Sequence, residues 1–212
     1  MNISDYPDLY HFYHVFADGE WEEAADEHFT ALKEHGLYEN LKGFYLGVVG
    51  KDENREAVKK KTLDYGFNAY IRAEAPLAWE QLTLEALRRH CTVNDGNILY
   101  AHTKSAFNHV DINIGWRSSM CYYNVVKWRE AIQHLKDVDT VGCHWVNDAM
   151  WGGNYWWATA RHIRTLKPLE YQDRWRAELW IGQREDIPGL EKVKIYDMNP
   201  GWPDPKLFTT SW

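Results

Sequence analysis

Cysteine, long apolar runs and positive charge are all scarce in this 212-residue chain. Cys91, Cys121 and Cys143 are odd in number, widely spaced and form no C-x-x-C pair. That argues against a disulfide framework and a zinc knuckle, and the three thiols are expected to be buried. No stretch approaches the roughly 20 apolar residues of a membrane helix. Met1 to Asp8 also lacks the basic-then-apolar pattern of a signal peptide, so the expected location is the cytoplasm. With 24 Lys and Arg against 31 Asp and Glu, the net charge is -7, the wrong sign for a protein that draws its affinity from phosphate backbones. Internal repeats and low-complexity segments are missing as well.

Apolar residues are plentiful enough, at 45%, to bury a sizeable core, and the length suits a single domain. Aromatics stand out: there are 12 Trp and 13 Tyr, and ten of the tryptophans lie from Trp116 onward. A Trp offers a flat apolar face and one N–H donor, which suits both core packing and stacking on a sugar ring.

Leu9 to Phe16 reads as a strand ended by Ala17-Asp18-Gly19, followed by a helix in which Trp21, Ala24, Ala25, His28, Phe29 and Leu32 share a face, with Gly36 as its stop. Phe44 to Val49 is a short apolar run of the kind buried on both faces of a sheet. Asn54 to Tyr65 is expected as an exposed basic helix, Asn68 to Arg72 as a third strand, and Pro76 as the start of a helix whose face is Leu77, Leu84 and Leu87. Asn97 to Ala101 makes a fourth strand, Trp116 to Leu135 one long helix, and Asp139 to Cys143 a fifth strand. A last helix is expected near Trp157 to Leu166, ahead of a Pro- and Trp-bearing tail from Pro200. Strand and helix thus alternate about five times, which predicts an α/β domain with a mainly parallel sheet flanked by helices. One domain spanning 1–212 is expected, with the regular alternation carried by residues 1–145 and a less regular part over 146–212.

Ligands of open α/β sheets bind beyond the carboxyl ends of the strands. Polar groups stand there at Asp18, at His102-Thr103-Lys104 and at His144, and the second of these brings an acid/base group and a cation able to neutralise a diphosphate. They can equally be ordinary loop polar groups. Trp151-Gly-Gly-Asn-Tyr-Trp-Trp-Ala158 combines a turn, the amide of Asn154 and dense aromatics, and so offers a sugar-binding wall. If a helix began near Asn154, its free N–H groups could hold an anion. The other reading is a capped helix start with core tryptophans. In Arg174-Trp-Arg-Ala-Glu178-Leu-Trp180 the carboxylate could serve as a general base or be a solvated ion pair.

Tyr13 to Asp18, Tyr100-Ala-His-Thr-Lys104, Trp116-Arg117 with Met120, Gly153-Asn-Tyr-Trp-Trp-Ala158, and Arg174 with Glu178 and Trp180 together resemble a group of small bacterial and phage glycosyltransferases of the GT-A type. The shared features are an HTK segment, a GNFWWA-like segment and a late E-x-W, in the same order over roughly Tyr10 to Gly182. The resemblance implies a Rossmann-like, nucleotide-sugar-binding part over residues 1–145, with the donor held by Asp18, His102, Thr103, Lys104 and Arg117. It implies an acceptor side and tail over 146–212, with a sugar or acceptor pocket shaped by Gly153, Asn154, Trp156, Trp157 and Trp180. Glu178 would be the catalytic base. His102-Thr103-Lys104 stands where GT-A enzymes usually carry an Asp-x-Asp metal site. A Mn²⁺ or Mg²⁺ ion is therefore in question, since hard cations prefer oxygen ligands. Lys104 could supply that charge instead, or His102 could ligate a metal with Asp111 or water. Ser105 occupies a position where the group often has Gly. Two other functions remain open from the residues: a carbohydrate-binding module without chemistry, and a phage enzyme that glycosylates DNA bases, for which the acidic balance is unfavourable.

Overall fold

In the computed structural model, residues 7–185 and 191–200 are described. Seven strands form one sheet, and a short hairpin stands apart from it. The main-sheet strands are β1 (Leu9–Phe16), β2 (Leu41–Val49), β3 (Ala69–Ala75), β4 (Asn97–His102), β5 (Thr140–Gly142), β8 (Trp156–Thr159) and β9 (Ile195–Asp197). The hairpin pairs β6 (Trp145–Val146) with β7 (Met150–Trp151). Spatial order is β3-β2-β1-β4-β8-β5-β9. The pairings β2–β3, β1–β2, β1–β4 and β5–β9 are parallel, while β8 runs antiparallel between β4 and β5. This is the mixed α/β domain, mainly parallel, that the alternation predicts. Because β8 sits inside the sheet, residues beyond 145 build part of the same layer as those before it.

The helices are α1 (Trp21–Glu34), α2 (Asp52–Asp64), α3 (Gln81–Cys91), α4 (Asp111–Cys121), α5 (Trp128–His134), α6 (Ala160–Ile163) and α7 (Trp175–Leu179). Alternation along β1 divides the core between the two faces of the sheet. Tyr13 and Val15 pack with Phe29, Val125 and Trp128, whereas Tyr10 and Phe12 pack with Leu84, Leu87 and Trp156. Cys91, Cys121 and Cys143 are free and buried, as expected.

Three expected elements differ. Residues 76–80 form a loop rather than the first turn of α3, and Leu77 and Trp79 are exposed instead of facing the core. The long helix expected at Trp116 to Leu135 starts earlier, at Asp111, and is interrupted by a π-helical turn over Tyr122–Val126. The wider turn frees the carbonyl of Asn124 to accept the indole N–H of Trp157 at 2.8 Å. The segment expected as a helix from Trp157 begins instead as strand β8, and only Ala160–Ile163 is helical. A strand buried on both faces can be apolar at every position, so Trp-Trp-Ala-Thr reads as well in the sheet as on a helix. Consequently no helix N-terminus lies at Asn154 to hold an anion.

No helix among the described residues is long and apolar enough to cross a membrane.

Candidate active site at the carboxyl ends of β1 and β4

From β1 the chain moves outward through β2 and β3, then returns to the other flank of β1 as β4. Strand order therefore reverses between β1 and β4, and the crevice beyond their carboxyl ends is where such a sheet admits a ligand. His14 and His102 stand side by side in this register. Thr103 fastens the two strand ends together. Its N–H donates to the carbonyl of His14 at 3.0 Å, and its hydroxyl accepts the N–H of Phe16 at 2.9 Å. Asp18, half-buried, accepts a hydrogen bond from Asn54 at 3.1 Å at the rim of the same crevice.

Lys104 and Glu178 bring opposite charges to this end of the sheet. The Lys104 ammonium lies 4.3 Å from the ring centre of Trp116, a cation–π contact that holds it in place. Burial, assisted by Arg174, lowers its pKa, against the pull of the Glu178 and Glu80 carboxylates. Glu178, half-buried on α7, is shifted the other way. Burial and the neighbouring charge of Glu80 raise its pKa, and Lys104, His102 and Arg174 only partly offset this.

Glu80 is a member of the cluster that the residues alone did not reveal. It ends the loop before α3, and its Oε2 accepts from Tyr100 Oη and from Asn154 Nδ2, both at 2.8 Å. Asn154 is buried in the left-handed region at φ +54°, an unusual position that its amide makes useful. While Nδ2 serves Glu80, Oδ1 accepts the indole N–H of Trp156 at 2.7 Å. His102 donates from Nε2 to the carbonyl of Gly153 at 2.8 Å. Its Nδ1 is 3.8 Å from Glu80 Oε1, but burial and Lys104 push its pKa down to about 4. The ring is neutral at physiological pH and makes no ion pair there.

Other expected site residues lie elsewhere or act indirectly. Trp156 and Trp157 have no exposed surface and Trp180 has 1%, so none presents a face to a sugar. Each satisfies its indole N–H inside the protein: Trp156 on Asn154, Trp157 on Asn124 and Trp180 on the carbonyl of Lys167. Arg117 points away from the crevice into the gap between α1 and α4, where it pairs with Glu27 at 2.6 Å and Glu23 at 2.7 Å. His144 is buried against Ser119 of α4. Gly153 contributes its carbonyl, and its φ of +80° with Met120 Sδ packed close leaves no room for a side chain.

Among the described residues, no group of three or more His, Cys, Asp and Glu is arranged to hold a metal ion. The donor set at the crevice also does not fit a resident Mn²⁺ or Mg²⁺ ion. His102 has committed its Nε2, Glu80 is engaged by Tyr100 and Asn154, and Lys104 already brings a positive charge. An Asp-x-Asp does occur, at Asp137-Val-Asp139, but it precedes β5 at the opposite end of the sheet, and Asp139 is paired with Arg184 at 2.7 Å.

Residues 12–198 match a family described as a domain of unknown function, DUF8361. The chain belongs to this family. No curated protein matches it. Among solved structures, it is similar to 4-diphosphocytidyl-2C-methyl-D-erythritol synthase from Anaerococcus prevotii DSM 20548, at 10% identity and a TM-score of 0.48 over 90% of this chain and 89% of that one. A likeness of that degree carries no argument about what the chain does.

Proposed function

We propose that the protein is a glycosyltransferase of the GT-A type that moves a sugar from a nucleotide-sugar donor to a hydroxyl acceptor. The observation behind this reading is the cluster at the reversal point of the sheet, where Lys104 is held 4.3 Å over Trp116, Glu80 lies 3.8 Å from His102, and Glu178 feels the charge of both Lys104 and Glu80. A half-buried cation there suits the diphosphate of a donor. A carboxylate with a raised pKa suits the removal of a proton from an acceptor hydroxyl.

Written as a direct displacement, Glu178 takes the hydroxyl proton as the acceptor oxygen bonds to the anomeric carbon. The bond from that carbon to the diphosphate oxygen breaks, and the electron pair leaves with the nucleoside diphosphate, whose charge Lys104 meets. Glu80, held by Tyr100 and Asn154, keeps the Glu178 pKa high and shapes the pocket. Asp18 stands at the nucleotide side. A carbohydrate-binding module loses much of its basis because Trp156, Trp157 and Trp180 are interior.

The test is hydrolysis of UDP-, GDP-, TDP- and CMP-sugars, in Mn²⁺ and in EDTA, with the thermal shift each donor produces. One donor that raises the melting temperature and is slowly hydrolysed even in EDTA supports the reading. Absence of any nucleotide effect, with a shift from free glycans alone, refutes it.

A further inference from the structure

A second concavity lies on the far side of the loop that carries Glu80. It is a groove of about 800 Å³ between edge strand β3 and helix α3. Trp79 and Tyr171 stand on it with 52% and 60% of their surface exposed, in contrast to the buried tryptophans of β8. An aromatic face left in water beside a groove is a stacking surface for the C–H face of a sugar. Most of the lining charge is already neutralised. Glu85 is paired with Arg88 and Arg89, and Glu74 with Lys59 at 2.9 Å and Arg55 at 3.6 Å. Arg72 is different. Its guanidinium lies 4.7 Å from the ring centre of Tyr45 and 5.9 Å from that of Tyr70, and no carboxylate among the described residues is within ion-pair distance of it. The groove therefore presents apolar ring faces and one preoriented, uncompensated cation.

The groove is also joined to the crevice. Trp79 precedes Glu80 directly, and the next residue, Gln81, lines the groove and donates to the carbonyls of Glu170 at 3.2 Å and Asp173 at 2.7 Å. Those carbonyls belong to the segment leading into α7 and Glu178. We propose that the groove binds an acidic oligosaccharide, with Trp79 and Tyr171 stacked on its rings and Arg72 paired with a carboxylate. This chain of sugars is the acceptor, reaching over the 76–80 loop toward Glu178. The inference rests on the glycosyl-transfer reading. A nucleic acid is the poorer fit, because a polyanion needs many cations along its path, and here one is unpaired.

Isothermal titration with tetragalacturonate and with a hyaluronan tetrasaccharide, each beside its carboxyl-methylated form, tests this without any nucleotide sugar present. At least one free acid should bind tenfold or more tightly than its ester. Arg72→Gln should remove that difference while leaving the ester's affinity unchanged, Arg72→Lys should restore part of it, and Trp79→Ala should weaken acid and ester alike. These side chains are on the surface, and an unchanged melting temperature verifies that each variant is folded. Equal binding of acid and ester, no binding of either oligosaccharide, indifference to Arg72→Gln, or tighter binding of an octathymidylate would overturn the proposal. Acid-selective binding without turnover of any donor keeps the groove and removes the transfer reading. Transfer by a protein whose oligosaccharide binding ignores both Arg72 and Trp79 does the reverse.

Discussion

Asn154 donates a hydrogen bond to Glu80 at 2.8 Å across 74 residues of sequence, tying the turn before β8 to the loop before α3. The bond holds a carboxylate beside Glu178, and that proximity contributes to the raised Glu178 pKa. Glu80→Gln keeps an acceptor for Tyr100 and Asn154 but removes the charge. The acidic limb of the pH–rate profile should then move to lower pH with little loss of stability. Asn154→Asp should instead set two carboxylates against each other and destabilise the fold by roughly 1–3 kcal/mol at neutral pH. Denaturant titration of the two variants checks both.

Activity should have a narrow bell-shaped dependence on pH. The acidic limb lies above the ordinary carboxylate range because Glu178 must be deprotonated and its pKa is raised. The alkaline limb lies below the ordinary lysine range because Lys104 must be charged and its pKa is lowered. Lys104→Arg, with a side chain that stays charged, should extend the alkaline limb upward in kcat/KM while leaving the acidic limb in place. Movement of the acidic limb instead would contradict the assignment.

Stability should fall in mild acid. His11, His14, His28 and His162 are all 2% exposed or less, and burial lowers each pKa, to about 3 for His11 and about 4 for His14 and His162. In the core, His11 Nδ1–H donates to the carbonyl of Leu99. That leaves its Nε2 to accept from His28 Nε2–H at 2.7 Å and His28 Nδ1 to accept from Tyr155 Oη. The chain is satisfied only while both rings are neutral. Below pH 6.5 the unfolded chain takes up protons that the folded one refuses, so stability present at neutral pH is lost down toward pH 4, by about 2 kcal/mol at pH 5 for each of His11, His14 and His162, with His28 acting in the same direction. Against a typical total of about 5–15 kcal/mol, chemical denaturation should show cooperative unfolding near pH 5. A flat stability from pH 7 to pH 4.5 would contradict it.

Ser105 has φ +72° and a buried hydroxyl without a hydrogen-bond partner among the described residues. A left-handed backbone is costly for any side chain, so Ser105→Gly should stabilise the protein by about 1 kcal/mol despite the freer unfolded chain. A lower melting temperature would show that the hydroxyl has a partner of its own.

Periodicity made most of the architecture legible. Strands β1 to β4 are short apolar or alternating runs closed by turn residues, and β1 and β4, which frame the crevice, both appear where the residues place them. Reading failed where tertiary packing overrides local pattern. Trp156 to Thr159 shows no alternation because both faces of β8 are covered, and the π turn at Tyr122–Val126 has no periodic signature. In the site, the strand-end rule led to His102 and Lys104. Glu80 escaped it because the helix expected from Pro76 placed it among ordinary helical carboxylates, and only its contacts with Tyr100 and Asn154 distinguish it. Aromatic density around Gly153 suggested a binding wall, whereas burial turned those tryptophans inward, and exposed aromatic faces stand elsewhere, among them Trp79 and Tyr171.

The most direct test of the central claim is single-turnover sugar transfer by Glu178→Gln, measured beside its affinity for the donor. The account predicts donor binding within about threefold of the parent protein and a rate of transfer lower by about 10²–10⁴-fold, the range supplied by a positioned general base. Transfer at the parental rate with intact donor binding would show that Glu178 is not the base and that the crevice works by another chemistry.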